Sequence, residues 1–254
     1  MAEPQQALFL HTQPETLPPA VSRIYAGAEF CPWRLPATCD LQRALAWTHA
    51  RGRAFTLVTP VLIEPLRKTL HGLLAELLPA FADGDEVVIS DWGALDLVRV
   101  IRPEVTVVLG RVLSGQKRDP RTAGLPLGEA QREHFRQGSW YAAPAVDLLR
   151  ELDIRRVELD NLLQGLAPLP AALRGTLHVP YAMVAASRNC PFRRPGSAEP
   201  CAQPCGEVFS LVSAEHPEPL LQGGNTQFLR VEHLPDDLSA LGIDRVVEHL
   251  ELPR

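Results

Sequence analysis

The sequence lacks any apolar run close to the roughly 18 residues that a membrane-crossing helix needs. Its opening stretch, MAEPQQALFLHTQPETLPPA, lacks a basic segment followed by an apolar one, so the expectation is no secretory signal and a cytoplasmic chain. It also lacks an excess of positive charge. Lys and Arg total 25 against 30 Asp and Glu, a formal net charge of -5. That balance withholds the electrostatic footprint of a general nucleic-acid binder, although a local basic groove stays open. HExxH, GxSxG, P-loop and dinucleotide-binding glycine motifs are all missing, and no nucleophile–base pair stands out, so a peptidase has little to rest on. There is no internal repeat and no domain linker.

What is present is a chain of 254 residues, 46% hydrophobic and 22% charged, with enough apolar material for one sizeable core. Strand-like and helix-like stretches alternate. Strands are expected at Arg23–Phe30, Ala54–Leu62, Glu86–Asp91, Glu104–Leu113, Arg155–Asp160, Gly175–Ala186 and Arg245–Leu252. Helices are expected at Asp40–Arg51, Glu64–Phe81, Trp92–Ile101, Gly128–Gln137, Pro144–Leu152 and Pro235–Leu241. Glu207–Ser213 and Gln227–His233 flank a Gly-Gly-Asn turn and read as a hairpin, and Ser114–Gly128 reads as an exposed loop. Parallel βα units follow from this rhythm. The expected fold is α/β: one domain over residues 1–254, a complete or slightly degraded (β/α)8 barrel, with an open doubly wound sheet as the alternative.

The segment Cys190–Cys205 breaks the globular pattern. It holds four prolines, one glycine and three cysteines, and little that could form a core of its own. Structural disulfides are rare in a reducing compartment, so five cysteines call for core packing, catalysis or metal binding instead. The spacing is Cys190-x10-Cys201-x3-Cys205, with Cys31 and Cys39 far upstream. Thiolates are soft ligands that suit zinc and iron–sulfur clusters. Zinc sites usually present two close cysteine or histidine pairs, and here there is one. Cluster sites that draw one cysteine from elsewhere in the chain suit this layout better. Cys31 ends the first clear strand and Cys190 follows the Gly175–Ala186 strand, so both can reach the end of a parallel fold where sites are built. The reading is therefore a 4Fe-4S cluster on Cys31, Cys190, Cys201 and Cys205, held in a loop over residues 187–206. Cys39, which opens a helix, is set aside.

Taken in order, Tyr25-Ala-Gly-Ala-Glu-Phe-Cys31, Ser90-Asp91-Trp92-Gly93, Val179-Pro-Tyr-Ala-Met183, Asn189-Cys190-Pro191, Cys201-x3-Cys205 and Gly224-Asn225-Thr226 resemble the collagenase-like peptidase family, nearest its UbiU/UbiV-type branch. The resemblance spans about Arg23 to Glu248. It implies a barrel-like fold with the same four cysteines as cluster ligands. It also implies a heterodimer with a paralogous cysteine-bearing chain that acts in oxygen-independent hydroxylation during ubiquinone biosynthesis. The implied small molecules are prephenate, as the source of the hydroxyl oxygen, and a quinone precursor. Related members hydroxylate RNA bases. The absence of the extra C-terminal region of larger members favours the quinone-type branch. A peptidase and a non-catalytic electron-transfer or structural partner are the remaining alternatives.

Among the other polar residues, Arg34, Arg111 and Arg188 are the candidates to hold an anionic substrate, because the guanidinium fork matches a carboxylate. Arg193 and Arg194 read as solvated. RRVELD carries Glu158 and Asp160, one of which is expected to point into the barrel; Glu158 and Asp91 are the candidates for proton transfer. His178 reads as a packed histidine, and His216 as exposed in a turn.

Overall fold

A computed structural model describes residues 3–194, 197, 199–214 and 216–253, and for His216 and Pro217 only the backbone. Eight parallel strands close into a barrel: β1 (Gln5–Phe9), β2 (Val21–Gly27), β3 (Ala54–Val58), β4 (Glu86–Ile89), β5 (Thr106–Leu109), β6 (Arg156–Asp160), β7 (Arg174–Val179) and, last in the chain, β12 (Ile243–His249), which pairs with both β7 and β1. The chain between β7 and β12 forms a second sheet. It is antiparallel, in the order β8 (Tyr181–Ala186), β11 (Thr226–Arg230), β10 (His216–Gly223), β9 (Phe209–Ser213).

Among the described residues there are five α-helices: α1 (Thr38–His49), α2 (Arg67–Leu77), α3 (Trp92–Ile101), α4 (Glu129–Arg136) and α5 (Ala143–Glu151); α1, α2, α3 and α5 send side chains into the core, and α4 buries none. On α2 the leucines at 70, 73, 74 and 77 follow helical spacing and all are buried against the barrel. Each contributes roughly 1.5–3 kcal/mol of hydrophobic stabilisation. Asp91 caps α3 through the Gly93 N–H at 2.8 Å, which is why that helix starts where the sequence says it does. No α-helix covers the β1–β2 or β6–β7 connections among the described residues.

Several expectations change. The predicted Gly175–Ala186 strand is two strands, β7 in the barrel and β8 in the second sheet, divided at Pro180, which has no N–H to give to a ladder. The predicted hairpin between Glu207–Ser213 and Gln227–His233 does not form; β10 lies between them and pairs with both. A charged, proline-bearing run, HPEPLLQG, hid that strand. Pro235–Leu241 is turns and not a helix. β1 is a strand the sequence pattern did not reveal, since five residues give too little periodicity. The expected exposure of His216 concerns a side chain outside the described residues.

The barrel interior is unusually polar. Arg245 donates to both oxygens of Glu86 at 2.6 and 3.1 Å and to the Tyr25 hydroxyl at 2.8 Å, while Arg23 approaches Glu86 at 3.2 Å. Glu158 and Asp160 lie two residues apart on β6, so they share one face, and both point inward instead of only one. An apolar layer of Ala7, Phe9, Val58, Val88, Val108 and Val247 packs around these charges. Phe30, Met183 and Phe228 close the top.

The seam between β5 and β6 is the weakest in the barrel ladder, with a single paired register, Leu109 to Val157. The Gln116 side chain completes it. Its Oε1 accepts from the Asp160 N–H at 2.8 Å, and its Nε2 donates to the Asp160 carbonyl at 3.0 Å, as a neighbouring strand would. The expected exposed loop at Ser114–Gly128 is therefore partly a buried component of the barrel, with Ser114, Gln116 and Thr122 all enclosed.

Glu86→Leu removes the carboxylate shared by two buried arginines. It is expected to destabilise the fold by about 3–5 kcal/mol, the cost of leaving buried charge uncompensated, as measured by urea denaturation followed by circular dichroism.

Candidate metal centre at the barrel mouth

The site lies where the chain leaves the C-terminal ends of barrel strands β2 and β4 and the end of β8 in the second sheet. Leaving β2, the chain turns at Gly27, whose φ is +134°; a Cβ there would meet the Val58 carbonyl oxygen at 2.1 Å, so only glycine fits. The next residues diverge by chemistry. Glu29 goes down into the barrel, Phe30 into the apolar cap, and Cys31 up to the mouth, where it opens a single turn of 3-10 helix, Pro32–Arg34.

Cys31 meets the C-terminal loop there. Burial pushes the Cys31 thiol up from its ordinary range, the thiols of Cys190 and Cys201 add to that, and the Trp33 N–H and the Arg34 guanidinium oppose them. Cys31 is thus in electrostatic reach of two other cysteines. The fourth, Cys205, has its sulfur 3.9 Å from an Arg34 nitrogen and beside Gly224. All four are partly buried and none is in a disulfide, whereas Cys39 is exposed and stands apart on α1. A cavity of about 280 Å³ opens between Cys31, Cys190, Arg188, Arg193 and Asn225.

Asn225 joins the two halves of this site. Its side-chain amide donates to the Phe30 carbonyl at 3.0 Å and to the Ser187 carbonyl at 2.8 Å, while its own carbonyl accepts from the Ser187 N–H at 3.1 Å. Phe30 precedes Cys31, and Ser187 begins the run to Cys190, so one buried amide sets both approaches. Sequence reading took Gly223-Gly224-Asn225 for a turn, which it is; the turn's side chain was the missed part. The Gly224-Asn225-Thr226 motif was the available signal.

Arg188 and Asp91 come together as an ion pair, the carboxylate also capping α3. Beside them is a cavity of about 320 Å³ that shares Arg188 and Asn225 with the thiol cavity. Arg34 sits next to the thiols. Arg111 does not: it is fully buried below the mouth. Its guanidinium donates to Glu29 at 2.6 and 2.9 Å, to Asp160 at 3.1 Å and to the Tyr181 carbonyl at 3.1 Å. Burial works against that charge, but Glu29 and Asp160 outweigh it and raise its pKa. Arg118, not singled out from the sequence, adds a second cation on Asp160 at 2.8 Å.

Glu158 is deeper still. It accepts from the Tyr25 hydroxyl at 3.1 Å and pairs closely with His178, whose Nδ1 is 2.7 Å from His249 Nε2. Burial opposes the carboxylate, yet His178 with Arg245 and Arg156 holds its pKa below the ordinary range. Burial, with Arg111 next, drives His249 well below its usual range, so that imidazole is neutral. His178 is packed, as the sequence suggests.

The donor set fits a thiolate-ligated group: four soft sulfurs with positive charge beside them. Among the described residues, no three or more His, Cys, Asp or Glu are placed to hold a metal ion as they stand. No helix of the described residues is long and apolar enough to cross a membrane. Compared with protein-family models, curated proteins and solved structures, the chain matches none.

Two outcomes follow from these contacts. Asn225→Ala is expected to cost about 1–3 kcal/mol, because the buried Phe30 carbonyl and the Ser187 carbonyl lose their donor, and to speed alkylation of Cys31, as read by mass spectrometry. Asp160 lies below its ordinary 3.8, with burial opposed by Arg118 and Arg111. Its contribution to stability is therefore complete above that pH and is lost as pH falls through the lower folded value. Asp160→Asn is expected to be less stable at neutral pH and to show a shallower acid loss in urea midpoints below about pH 4.

Proposed function

We propose that the chain is a cytoplasmic iron–sulfur protein in which Cys31, Cys190, Cys201 and Cys205 hold one 4Fe-4S cluster, and that it is a component of an oxygen-independent hydroxylation system. The observations that support this reading are that the four thiols are partly buried and unbridged, that Cys190 and Cys201 act electrostatically on the Cys31 thiol, and that Cys205 lies 3.9 Å from Arg34, which acts on Cys31 too. Such a cluster, when bound, supplies one-electron transfer.

The chain's own residues prepare that mouth. Arg34 offsets the negative charge of deprotonated thiols at Cys205. Asn225 sets the two approaches. The Asp91–Arg188 pair lies at the edge of the adjoining cavity, where a carboxylate ligand could take Asp91's place on the guanidinium. The family resemblance supplies the finer reading: prephenate as oxygen source, a quinone precursor as acceptor, and a paralogous cysteine-bearing chain as partner in a heterodimer. The net charge of -5 favours a small-molecule acceptor over RNA.

Protein purified under strict anoxia is expected to be brown, with broad absorbance near 400 nm and about four irons per chain. Cys190→Ser is expected to lose the colour and most of the iron. Colourless wild-type protein carrying stoichiometric zinc would sink the proposal.

A further inference from the structure

The Cys190–Cys205 loop has too little apolar content to hold itself in place, which leaves open what orders it before any metal arrives. Arg193 stands out there. Sequence reading takes it as solvated beside Arg194. Arg194 is exposed, but Arg193 is tucked in and makes three kinds of contact. Its guanidinium donates to the carbonyls of Ser197 at 3.1 Å and Glu199 at 2.6 Å, reaching across the loop. Its Cζ lies 4.4 Å from the centre of the Trp33 ring, within the turn that follows Cys31. Its backbone N–H donates to the Cys190 carbonyl at 3.1 Å, closing the turn that begins at that cysteine.

One donor is left over. Among the described residues, Nη1 of Arg193 is buried without a hydrogen-bond partner, and Arg193 lines the same cavity as Cys31 and Cys190. A buried guanidinium N–H without an acceptor is costly. Arg193 differs from the other cations around the mouth in this respect. Arg188 is engaged by Asp91 and Arg34 approaches Cys205.

We propose that Arg193 is a positioning residue that staples the Cys190–Cys205 loop onto the Cys31 turn in the metal-free protein, and that its remaining N–H serves as a donor to a deprotonated thiol in the cavity. The staple needs no metal: it is made of two carbonyls, one indole ring and one arginine. The donor role rests on the thiolate site of the proposed function; the staple does not. A guanidinium whose Nη2 bonds two carbonyls while its Cζ sits over an indole spreads these contacts over separate atoms, whereas a lysine ammonium has to make them all through one nitrogen.

The test uses the full-length chain, reduced and stripped of metal, with circular dichroism to establish that each variant is folded. Limited proteolysis within residues 190–205, and the alkylation rates of Cys190 and Cys201, are compared among wild type, Arg193→Gln, Arg193→Lys and Arg194→Gln. Arg193→Gln is expected to raise both rates about tenfold or more, the equivalent of losing one hydrogen bond from a charged donor. Arg193→Lys should recover little of the protection, and Arg194→Gln should behave as wild type. Equal rates in Arg193→Gln and wild type, or an equal rise in Arg194→Gln, would overturn the staple. For the donor role, the anoxically loaded protein is challenged with an iron chelator, and Arg193→Gln is expected to lose iron several-fold faster. Equal loss by wild type and Arg193→Gln overturns that role. Failure of wild type to bind iron at all overturns the proposed function, and leaves the metal-free comparison to decide the staple by itself.

Discussion

The mouth of this barrel depends on one buried cation. Arg111 stands where β5 ends, and its guanidinium holds Glu29 from the end of β2, Asp160 from the end of β6 and the Tyr181 carbonyl at the start of β8. Four parts of the chain are fixed to one another by a single planar group. Two carboxylates around one arginine would leave a net negative charge, and Arg118 on the far oxygen of Asp160 balances it. Taking four charges out of water is expensive, and an apolar substitute of equal volume could be as stable. What the polar version supplies is direction. An arginine fork meets its acceptors in one plane only, so the strand ends it joins have one arrangement. Glu29 is two residues from Cys31, and the Met183 N–H that Asp160 accepts at 2.8 Å opens the path along β8 to Cys190. The positions of the thiols follow from charges buried beneath them.

The same economy recurs at other junctions. Gln116 acts as a length of strand where β5 and β6 barely pair. Asn225 ties the approach to Cys31 to the approach to Cys190. Gln116 offers a donor and an acceptor in the geometry of a peptide group, Asn225 offers two donors, and each satisfies backbone that regular structure has left unpaired. These amides lie where the barrel departs from ideal: at the weak seam, and where an antiparallel sheet replaces the helix expected between the last two strands.

Much of the barrel was legible because helices and buried parallel strands leave strong periodic signals. The leucines of α2 and the run Glu86–Ile89 needed little else. The antiparallel sheet was half legible. β8 was merged with β7 because the apolar pattern runs through Pro180, and β10 was lost in a polar sequence. Composition alone drew notice to Cys190, Cys201 and Cys205, since a proline-rich stretch is poor core material, and Cys31 joined them as the residue at a strand end. The partners of those thiols were not legible. Whether Arg111 meets a substrate or Glu29 depends on residues 82 positions apart in sequence. Arg193 and Arg194 are adjacent and chemically alike, and only the position of Trp33 separates a staple from a solvated charge.

The place of β12 has a bearing on how the molecule is assembled. The last barrel strand pairs with the first, Gln5 opposite Arg245, and their side chains bond across 240 positions. During synthesis, β1 stays without one neighbour until β12 emerges, and by then every thiol of the mouth and the whole antiparallel sheet are already outside the ribosome. Contacts of such long range form late and slowly. The nascent chain therefore passes through an interval in which its thiols are already made while its barrel is open along one side. On the proposed reading of the mouth, uptake of metal and closure of the barrel would compete in time, with their order set by where the final strand sits in the chain.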